Sequence, residues 1–403
     1  MLNTRPLPAV LCIIALLVAP VPALADKFDR QAKKLTQKYL LADGHIDVPI
    51  RLHYNWQDVT EATESGQFDY PRAKEGGLNL PFMSIYTPAD SEYDGSAYAM
   101  ANNLIDHVEA IVARAPDRFA IASSTAAVEQ QFKEGKISLA LGMENGAPIS
   151  GSLDNLRHFH ARGVRYVTLA HSHSNHISDS SYDTVRLWQG LSPFGRKVVA
   201  EMNALGIMVD ISHLSDKAAY EVLEISKVPV IASHSSARHF VDTQPVFERN
   251  MDDELIKALA ANDGVIMINF GSGFLTTAAA EYRNQMRPAM TAFGERHGAK
   301  RGDPRMRQFI QDYQSIFPYP YATVSDVADH IDHVVKLVGI EHVGIGSDYD
   351  GVGDTLPIGL KDVSTYPNLV AELLRRDYSE SDIEKLLGGN LMRVWKAVER
   401  EAG

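Results

Sequence analysis

The feature that most constrains the fold is a repeated alternation of short apolar runs with amphipathic stretches. The apolar runs are rich in β-branched residues, and helical periodicity separates most of them. Runs that are apolar at nearly every position are typical of strands buried on both faces of a parallel sheet. The eight runs are Tyr39–Ala42, Phe82–Thr87, Ile137–Gly142, Tyr166–Ala170, Ile207–Ile211, Val228–Ala232, Val265–Phe270 and Val343–Gly346.

Strand followed by helix, eight times over, predicts an α/β protein with a parallel (β/α)8 TIM-type barrel. A doubly wound open sheet is the alternative, but no glycine-rich phosphate loop follows the first run. We predict one domain over residues 26–403, with an insertion at about 271–321 over the mouth of the barrel. The amphipathic stretches include Ser96–Ala115, Leu153–Arg162, Pro193–Leu205, Asp216–Ser226, Asp252–Asn262 and Val324–Val338.

The first 25 residues have the pattern of a secretory signal peptide. Arg5 precedes the apolar run Ala9–Ala19, and Ala23 and Ala25 form a small-x-small cleavage site. The run is shorter than the ~20 apolar residues that span a bilayer. A retained membrane anchor is the alternative interpretation. We therefore expect an exported protein, periplasmic or secreted, with no stable membrane anchor after cleavage.

Composition limits the partners of the mature chain. Cys12 is the only cysteine and lies inside the predicted signal peptide, so stability after cleavage would come from packing and not from disulfides. Cleavage would also remove Arg5 and no acidic residue, which changes the formal net charge from −12 to −13. Such an acidic chain is not expected to bind nucleic acid or an anionic membrane surface.

Polar side chains follow the predicted strands, at the end of a barrel where active sites form. His45 and Asp47 come directly after the first run, and their spacing of two places them on the same side of a strand. A neutral imidazole and a carboxylate are both good zinc ligands. The further candidates each follow a different predicted strand: Glu144, His171, His213, His234 and Asp348.

Together these residues supply enough ligands for two zinc-type ions, and the Glu144 carboxylate is able to bridge them. A dinuclear site of this kind lowers the pKa of a water held between its metals, so that hydroxide is available near neutral pH. A single metal or a purely structural ion is the alternative, although closed structural zinc sites usually contain cysteine. We therefore expect Zn²⁺ as the cofactor, with two ions per chain.

Three of these candidates also have a purely structural explanation. His45 could be a hydrogen-bonded core histidine, and Asp47 and Asp348 could be turn residues. Other histidines fall on predicted helices or loops, and among these we expect His330 and His333 to face solvent as helical neighbours.

Six segments resemble, in order, the successive motifs of the membrane dipeptidase (renal dipeptidase) family. The similarity runs from about Asp43 to the C-terminus, which makes it specific. The chain departs from the animal members because it lacks their disulfide-forming cysteines and their C-terminal lipid-anchor signal, so neither trait is carried over. The segments are Asp43–Asp47, Gly142–Gly146, Tyr166–His171, Val209–Ser215, Ser233–Ala237 and Gly344–Gly351.

The resemblance implies a role for each candidate residue. It assigns one zinc ion to His45 and Asp47 and a second ion to His213 and His234. Glu144 would bridge the two ions. Peptide hydrolysis needs an activated water, an electrophile at the carbonyl oxygen and a proton for the leaving nitrogen.

The resemblance also implies that His171 binds the substrate and polarises the oxyanion, and that Asp348 handles a proton as the amine departs. An arginine that matches Arg249 would hold the terminal carboxylate of the peptide. From the residues alone, Arg249 could equally form a surface salt bridge. Arg238 and Arg296 are the next candidates for binding the carboxylate.

We therefore predict an exported metallodipeptidase of the membrane dipeptidase type that hydrolyses dipeptides with a free C-terminal carboxylate. The resemblance, and not the composition, implies that a D-residue is tolerated at the C-terminal position. The expected partner is a small dipeptide, and a homodimer is left open. The alternatives are another dinuclear-metal barrel hydrolase (lactonase, phosphotriesterase or deaminase) and a periplasmic metal- or peptide-binding protein without turnover.

Overall fold

The fold is that of a computed structural model, which describes residues 22–243, 248–299 and 303–402. Residues 1–21 of the predicted signal peptide lie outside the described residues. The last residues of that segment begin helix α1 (Pro22–Lys38). None of the helices in the described ranges combines the length and the apolar character that crossing a membrane requires.

A nearly closed barrel of eight parallel strands forms the centre of the fold, which confirms the predicted architecture. The described residues contain these strands: β1 (Leu41–Ile46), β2 (Leu78–Tyr86), β3 (Phe119–Ile121), β4 (Ile137–Glu144), β5 (Val164–Thr168), β6 (Met208–Asp210), β7 (Ile231–Ser235), β8 (Val265–Ile268) and β9 (Val343–Ile345). Around the barrel the order is β1-β2-β4-β5-β6-β7-β8-β9, and β3 pairs with β4 outside this ring. Sequence reasoning missed β3, because three residues are too short a run to recognise.

The barrel closes where the end of β9 meets the end of β1. The amide of Asp47 donates to the carbonyl of Tyr349 (2.8 Å), and the amide of Asp348 donates to the carbonyl of His45 (3.1 Å). Two predicted site regions from distant parts of the chain are therefore adjacent at this seam.

A buried carboxylate holds the same seam together. Asp43 on β1 accepts hydrogen bonds from the amides of His45 (3.0 Å) and Ser347 (2.9 Å) and from the hydroxyl of Tyr366 (2.5 Å). Burial raises the pKa of the Asp43 carboxyl group to about 6. Sequence reasoning assigned no role to Asp43, because Ser347 and Tyr366 lie 304 and 323 residues further along the chain.

Helices cover the outside of the barrel, and the six helical stretches predicted above lie within one residue of the observed bounds. A capping box begins helix α13 (Val324–Val338): the hydroxyl of Thr323 accepts from the amide of Asp326, and the Asp326 carboxylate accepts from the amide of Thr323. The remaining helices are α2 (Val48–Tyr54), α3 (Tyr70–Gly76), α4 (Ser91–Asp94), α5 (Ala97–Arg114), α6 (Thr125–Lys133), α7 (Leu153–Ala161), α8 (Pro193–Leu205), α9 (Asp216–Ile225), α10 (Asp253–Ala261), α11 (Thr277–His297), α12 (Pro304–Ile316), α13 (Val324–Val338), α14 (Tyr366–Arg375), α15 (Glu380–Glu384) and α16 (Asn390–Glu401).

Large side chains fill the interior of the barrel. The ring of Tyr166 stacks on Phe82 with centroids 5.2 Å apart, and Phe82 contacts Trp395 of α16 at 5.4 Å. All three side chains are fully buried. A Cβ atom at Gly142 would lie 2.0 Å from the ring of Tyr166, so glycine is needed where β4 passes this ring. The interior is therefore a packed core and not a channel.

The predicted insertion at about 271–321 contains two helices, α11 and α12. Their aromatic side chains Phe293 and Phe309 stack with ring centroids 4.6 Å apart. Near the other ends of the helices, the hydroxyl of Tyr282 donates to the carbonyl of Phe317 (2.8 Å). The insertion is therefore a helical hairpin.

The expectation that His330 and His333 face solvent was wrong. His330 is fully buried, where Nδ1 accepts from the amide of Ala237 (3.1 Å) and Nε2 donates to the carbonyl of Leu275 (3.0 Å). Burial lowers the pKa of this imidazole to about 4. His333 is partly buried and contacts the carboxylate of Asp253 at 2.7 Å. Helical periodicity did not reveal which side of α13 the neighbouring segments cover.

Candidate metal centre

Four imidazoles surround the carboxylate of Glu144 at the C-terminal ends of the barrel strands. Oε1 of this residue lies 3.1 Å from Nε2 of His213, 3.2 Å from Nε2 of His234 and 3.5 Å from Nε2 of His171. Oε2 lies 3.4 Å from Nε2 of His45. Each of the five residues belongs to a different strand or to the loop behind it. The structure therefore brings these five predicted site residues together, and we call them, with the two aspartates described next, the cluster.

Two aspartates extend the cluster on the β1 side. Oδ2 of Asp47 lies 3.4 Å from Nε2 of His45, and Asp348 offers a carboxylate oxygen within 4.8 Å of both. Burial, followed by the charge of Asp47, raises the pKa of Asp348 to about 7. Oδ2 of Asp348 accepts a hydrogen bond from the side-chain amide of Asn269 (2.8 Å). Asn269 was not predicted, although its position directly behind β8 was an available signal.

The donor set of the cluster fits zinc-type ions. Nε2 of His213 and Nε2 of His234 lie 2.8 Å apart, and both face Glu144. Nε2 of His45 is buried and has no hydrogen-bond partner among the described residues. Because buried polar atoms are normally paired, nitrogens that converge in this way are candidate metal ligands. Three overlapping sets have ligand atoms within 4.8 Å of one another: His45–Glu144–His234, Glu144–His171–His213 and His45–Asp47–Asp348.

Burial and neighbouring charges shift the protonation of the cluster. Burial raises the pKa of Glu144, but the imidazoles around it lower this pKa well below its usual range overall. Burial lowers the pKa values of His213 and His234 well below the usual range, and the Arg249 guanidinium lowers them further. Burial alone would lower the pKa of His45, but Tyr166, Glu144 and Asp47 outweigh it, and the net effect is a pKa well above the usual range. The ionised carboxylate of Glu144 and the neutral imidazoles of His213 and His234 are the forms that bind a metal, and a protonated His45 would release its second proton when a metal ion binds.

The backbone is in the left-handed region at several non-glycine residues of the site. The φ angles are 68° at His213, 63° at Asp348 and 67° at Asp350. Such residues cost free energy and cluster at functional sites. The carboxylate of Asp350 pairs with Arg51 (3.1 Å) and accepts from the amide of Gln67 (2.7 Å). The turn that presents Asp348 is therefore held by a residue of helix α2 and by a residue of the segment between α2 and α3.

Arg249 is only 3% exposed, and it lies against the cluster. Its guanidinium donates to the hydroxyl of Ser235 (2.9 Å) and to the carbonyl of His234 (2.7 Å). The neighbouring Glu248 pairs instead with Arg186 at 2.5 Å. The surface salt bridge considered for Arg249 is therefore not observed.

The other two candidate arginines lie elsewhere. Arg238 pairs with the carboxylate of Asp216 at 2.5 Å, and Arg296 lies in the last turn of α11. Of the three arginines, Arg249 lines the cavity over the cluster.

A cavity of about 740 Å³ opens over the cluster. Its charged and imidazole side chains are those of cluster residues, Arg249 and Asp350, and much of the remaining wall is apolar or aromatic. This size and mixture suit a small molecule with charged groups and apolar side chains. A second cavity of about 560 Å³, which includes Arg238 and Asp252, contains no residue of the cluster. The apolar wall of the larger cavity includes Ile50, Tyr54, Tyr86, Tyr182, Phe274 and Val352.

Comparison with known proteins identifies relatives that match most of the chain. The family model "Membrane dipeptidase (Peptidase family M19)" matches residues 29–403. Dipeptidase 3 of Mus musculus is 32% identical over 382 residues, which are 92% of this chain and 66% of the mouse protein. This chain therefore spans slightly less than two thirds of the length of that relative.

Solved structures agree with the family match. The probable dipeptidase PvdM from Pseudomonas aeruginosa has a TM-score of 0.80 and 29% identity, over 94% of this chain and 100% of that chain. A metallopeptidase from Rhodobacter sphaeroides, solved with a phosphinate mimic of the dipeptide L-Ala-D-Ala, has a TM-score of 0.73 and 25% identity. That similarity covers 89% of this chain and 99% of the other. The chain belongs to the membrane dipeptidase family of metallopeptidases (peptidase family M19).

Proposed function

We propose that the chain is a zinc dipeptidase that hydrolyses dipeptides with a free C-terminal carboxylate. The observation that carries the proposal is that metal-type ligands from separate strands converge on Glu144, which lines the same cavity as the buried Arg249. One ion would be held by His45 and Asp47, the other by His213 and His234, with Glu144 contributing to both. Two zinc ions there would supply Lewis acidity at the carbonyl oxygen and lower the pKa of a water nucleophile.

The residues around these ligands would bind and orient the peptide. His171 lines the cavity and presents Nε2 toward the cluster, where it would donate to the carbonyl oxygen as negative charge develops. Asp348 lines the same cavity, and its bond to Asn269 holds one carboxylate oxygen in place. We assign Asp348 the transfer of a proton to the departing amine. The terminal carboxylate of the peptide would pair with Arg249.

The same proposal includes tolerance of a D-residue at the C-terminal position. The Rhodobacter sphaeroides metallopeptidase was solved with a phosphinate mimic of L-Ala-D-Ala, and its similarity extends over 89% of this chain.

Hydrolysis of a panel of L,L and L,D dipeptides by the zinc-loaded protein tests this function. We expect free amino acids from both series, and no comparable turnover of a lactone or a phosphotriester. Zinc or peptide binding without release of amino acids would identify a binding protein instead. Release of amino acids from the L,L dipeptides alone would contradict the proposed tolerance of a C-terminal D-residue.

Replacing Arg249 with alanine should remove most of the preference for a free carboxylate. A buried guanidinium forms a charge-assisted pair with a carboxylate, and its loss should weaken that preference by about 2–3 kcal/mol. The measurement compares kcat/KM for a dipeptide and its C-terminal amide. Arg238→Ala is the matched control, because Arg238 pairs with Asp216 outside the cavity. If the Arg249→Ala variant favours the free acid as strongly as the wild type does, another group binds the C-terminal carboxylate of the substrate.

We also propose that the protein is exported, on the basis of the signal-like pattern in residues 1–25. N-terminal sequencing of protein from the extracytoplasmic fraction should begin at Asp26. Mature protein that still contains Cys12 would contradict this proposal.

A further inference from the structure

Two buried hydroxyl groups lie directly behind metal-facing histidines. Nδ1 of His45 lies 2.8 Å from the hydroxyl oxygen of Tyr166, and Nδ1 of His234 lies 2.7 Å from Oγ of Ser233. In both rings the other nitrogen, Nε2, faces Glu144. Because a hydroxyl has a single hydrogen, the direction in which it donates decides which ring nitrogen carries a proton.

The hydrogen of the Ser233 hydroxyl is directed at a carboxylate. Oγ of Ser233 donates to Oδ2 of Asp210 (2.6 Å), which also accepts from the hydroxyl of Thr168 (2.5 Å). Oδ1 of Asp210 accepts from the amides of Ser212 (3.0 Å) and Ser233 (2.8 Å). Ser233 is therefore left to accept the bond from His234. In this arrangement Nδ1 of His234 carries the proton, and Nε2 presents a lone pair to the cluster.

The hydroxyl of Tyr166 is arranged in the same way behind His45. It donates to the carbonyl of Gly44 (3.1 Å), so it accepts from Nδ1 of His45. The ring of Tyr166 is fully buried inside the barrel, and the absence of a side chain at Gly142 leaves room for it. Nε2 of His45 consequently presents its lone pair to the cluster.

The two remaining imidazoles have no comparable support. Nδ1 of His171 and Nδ1 of His213 are buried, and neither has a hydrogen-bond partner in the part of the chain that the structure describes. In the proposed ligand assignment, His45 serves one ion and His234 the other. Each ion therefore has one imidazole whose tautomer is set from behind by a hydroxyl.

We propose that Tyr166, Ser233 and Asp210 are positioning residues that hold one imidazole of each metal site in the Nδ1–H tautomer and thereby set metal affinity. The inference rests on the metal centre of the proposed function, and it adds residues that touch neither metal nor substrate. Hydrogen bonds that orient metal-ligating histidines from behind typically change metal affinity or activity by about 10–100-fold.

Zinc affinities of the full-length wild type, Ser233→Ala and Tyr166→Phe test the inference by competition with a chelator of known affinity. Each variant should bind one of its zinc ions about 10–100-fold more weakly and keep wild-type affinity for the other. Thr168→Val is the matched control, because it removes the other hydroxyl from Oδ2 of Asp210 and touches no histidine ligand. With zinc in excess, the two variants should regain most of their kcat on a dipeptide. Zinc affinities in both variants equal to that of Thr168→Val would overturn the inference.

A second measurement uses the wild-type protein, so it does not depend on whether a variant folds. In proton NMR spectra of the zinc-loaded wild type, the Nδ1–H signals of His45 and His234 should exchange slowly with solvent, because each proton is held in a buried hydrogen bond. Fast exchange of both protons would also overturn the inference. A wild-type chain that binds no zinc would contradict the proposed function itself, so the two failures are distinguishable.

Discussion

Replacing Glu144 with alanine should release metal from both sites and reduce dipeptide hydrolysis to the background rate. The two carboxylate oxygens of Glu144 face different histidines, so one substitution removes a ligand from each proposed ion. Loss of a ligand from a buried site weakens metal binding directly. Elemental analysis of the purified variant and an assay with added zinc would measure both effects. A strong chelator should abolish hydrolysis by the wild type, and zinc should restore it.

Ser84→Ala is the control for this experiment. The hydroxyl of Ser84 donates to Oε2 of Glu144 (3.3 Å), so its removal disturbs the same carboxylate without removing a ligand. This variant should keep its metals and most of its activity. A Glu144→Ala protein with the metal content of the wild type would contradict the bridging role. Active wild-type protein with a single metal would contradict the dinuclear proposal.

Replacing His171 with alanine should leave both metals in place while kcat falls by about 10²–10³, the typical cost of removing one oxyanion donor. The distances alone do not show whether His171 binds a metal or the substrate, because Glu144, His171 and His213 form one of the sets that are close enough to hold an ion. The prediction follows from the ligand count, since the other histidines and the two acidic ligands suffice for two ions and His171 remains to serve the substrate. Metal content and kcat, measured on the same preparation, test it.

Two other histidine variants serve as controls for the His171→Ala experiment. His213→Ala should lose metal together with activity, because Nε2 of His213 faces Glu144 at 3.1 Å. His173→Ala should change neither, because its exposed side chain pairs with Asp183 in the loop after β5. If the His171→Ala protein contains one metal fewer than the wild type, His171 is a ligand and the division of roles is wrong.

Local patterns were sufficient to predict the barrel and most of the cluster. Apolar runs and helical periodicity are properties of short segments, so the eight barrel strands and six of the helices could be placed without knowledge of distant contacts. A parallel barrel then brings the ends of its strands together at one mouth. His45, Glu144 and His234 could therefore be grouped from their positions behind predicted strands.

The tertiary structure decided which side chains surround those residues. Burial of Arg249 against the cluster, and not beside Glu248 in a surface pair, depends on the packing of the loop after β7. The burial of His330 likewise depends on segments that cover α13.

The clearest difference between sequence and structure lies in the contacts behind the proposed metal ligands. The sequence by itself determined the barrel, its exposed mouth and the residue types there, because these follow from short-range periodicity. The hydroxyl of Tyr166 behind His45 joins residues 121 positions apart, and the bond from Ser347 to Asp43 spans 304 positions. Contacts of this kind leave no periodic pattern in the sequence. They form only after all the strands have assembled into the barrel, because the barrel sets the distances between residues at the ends of different strands.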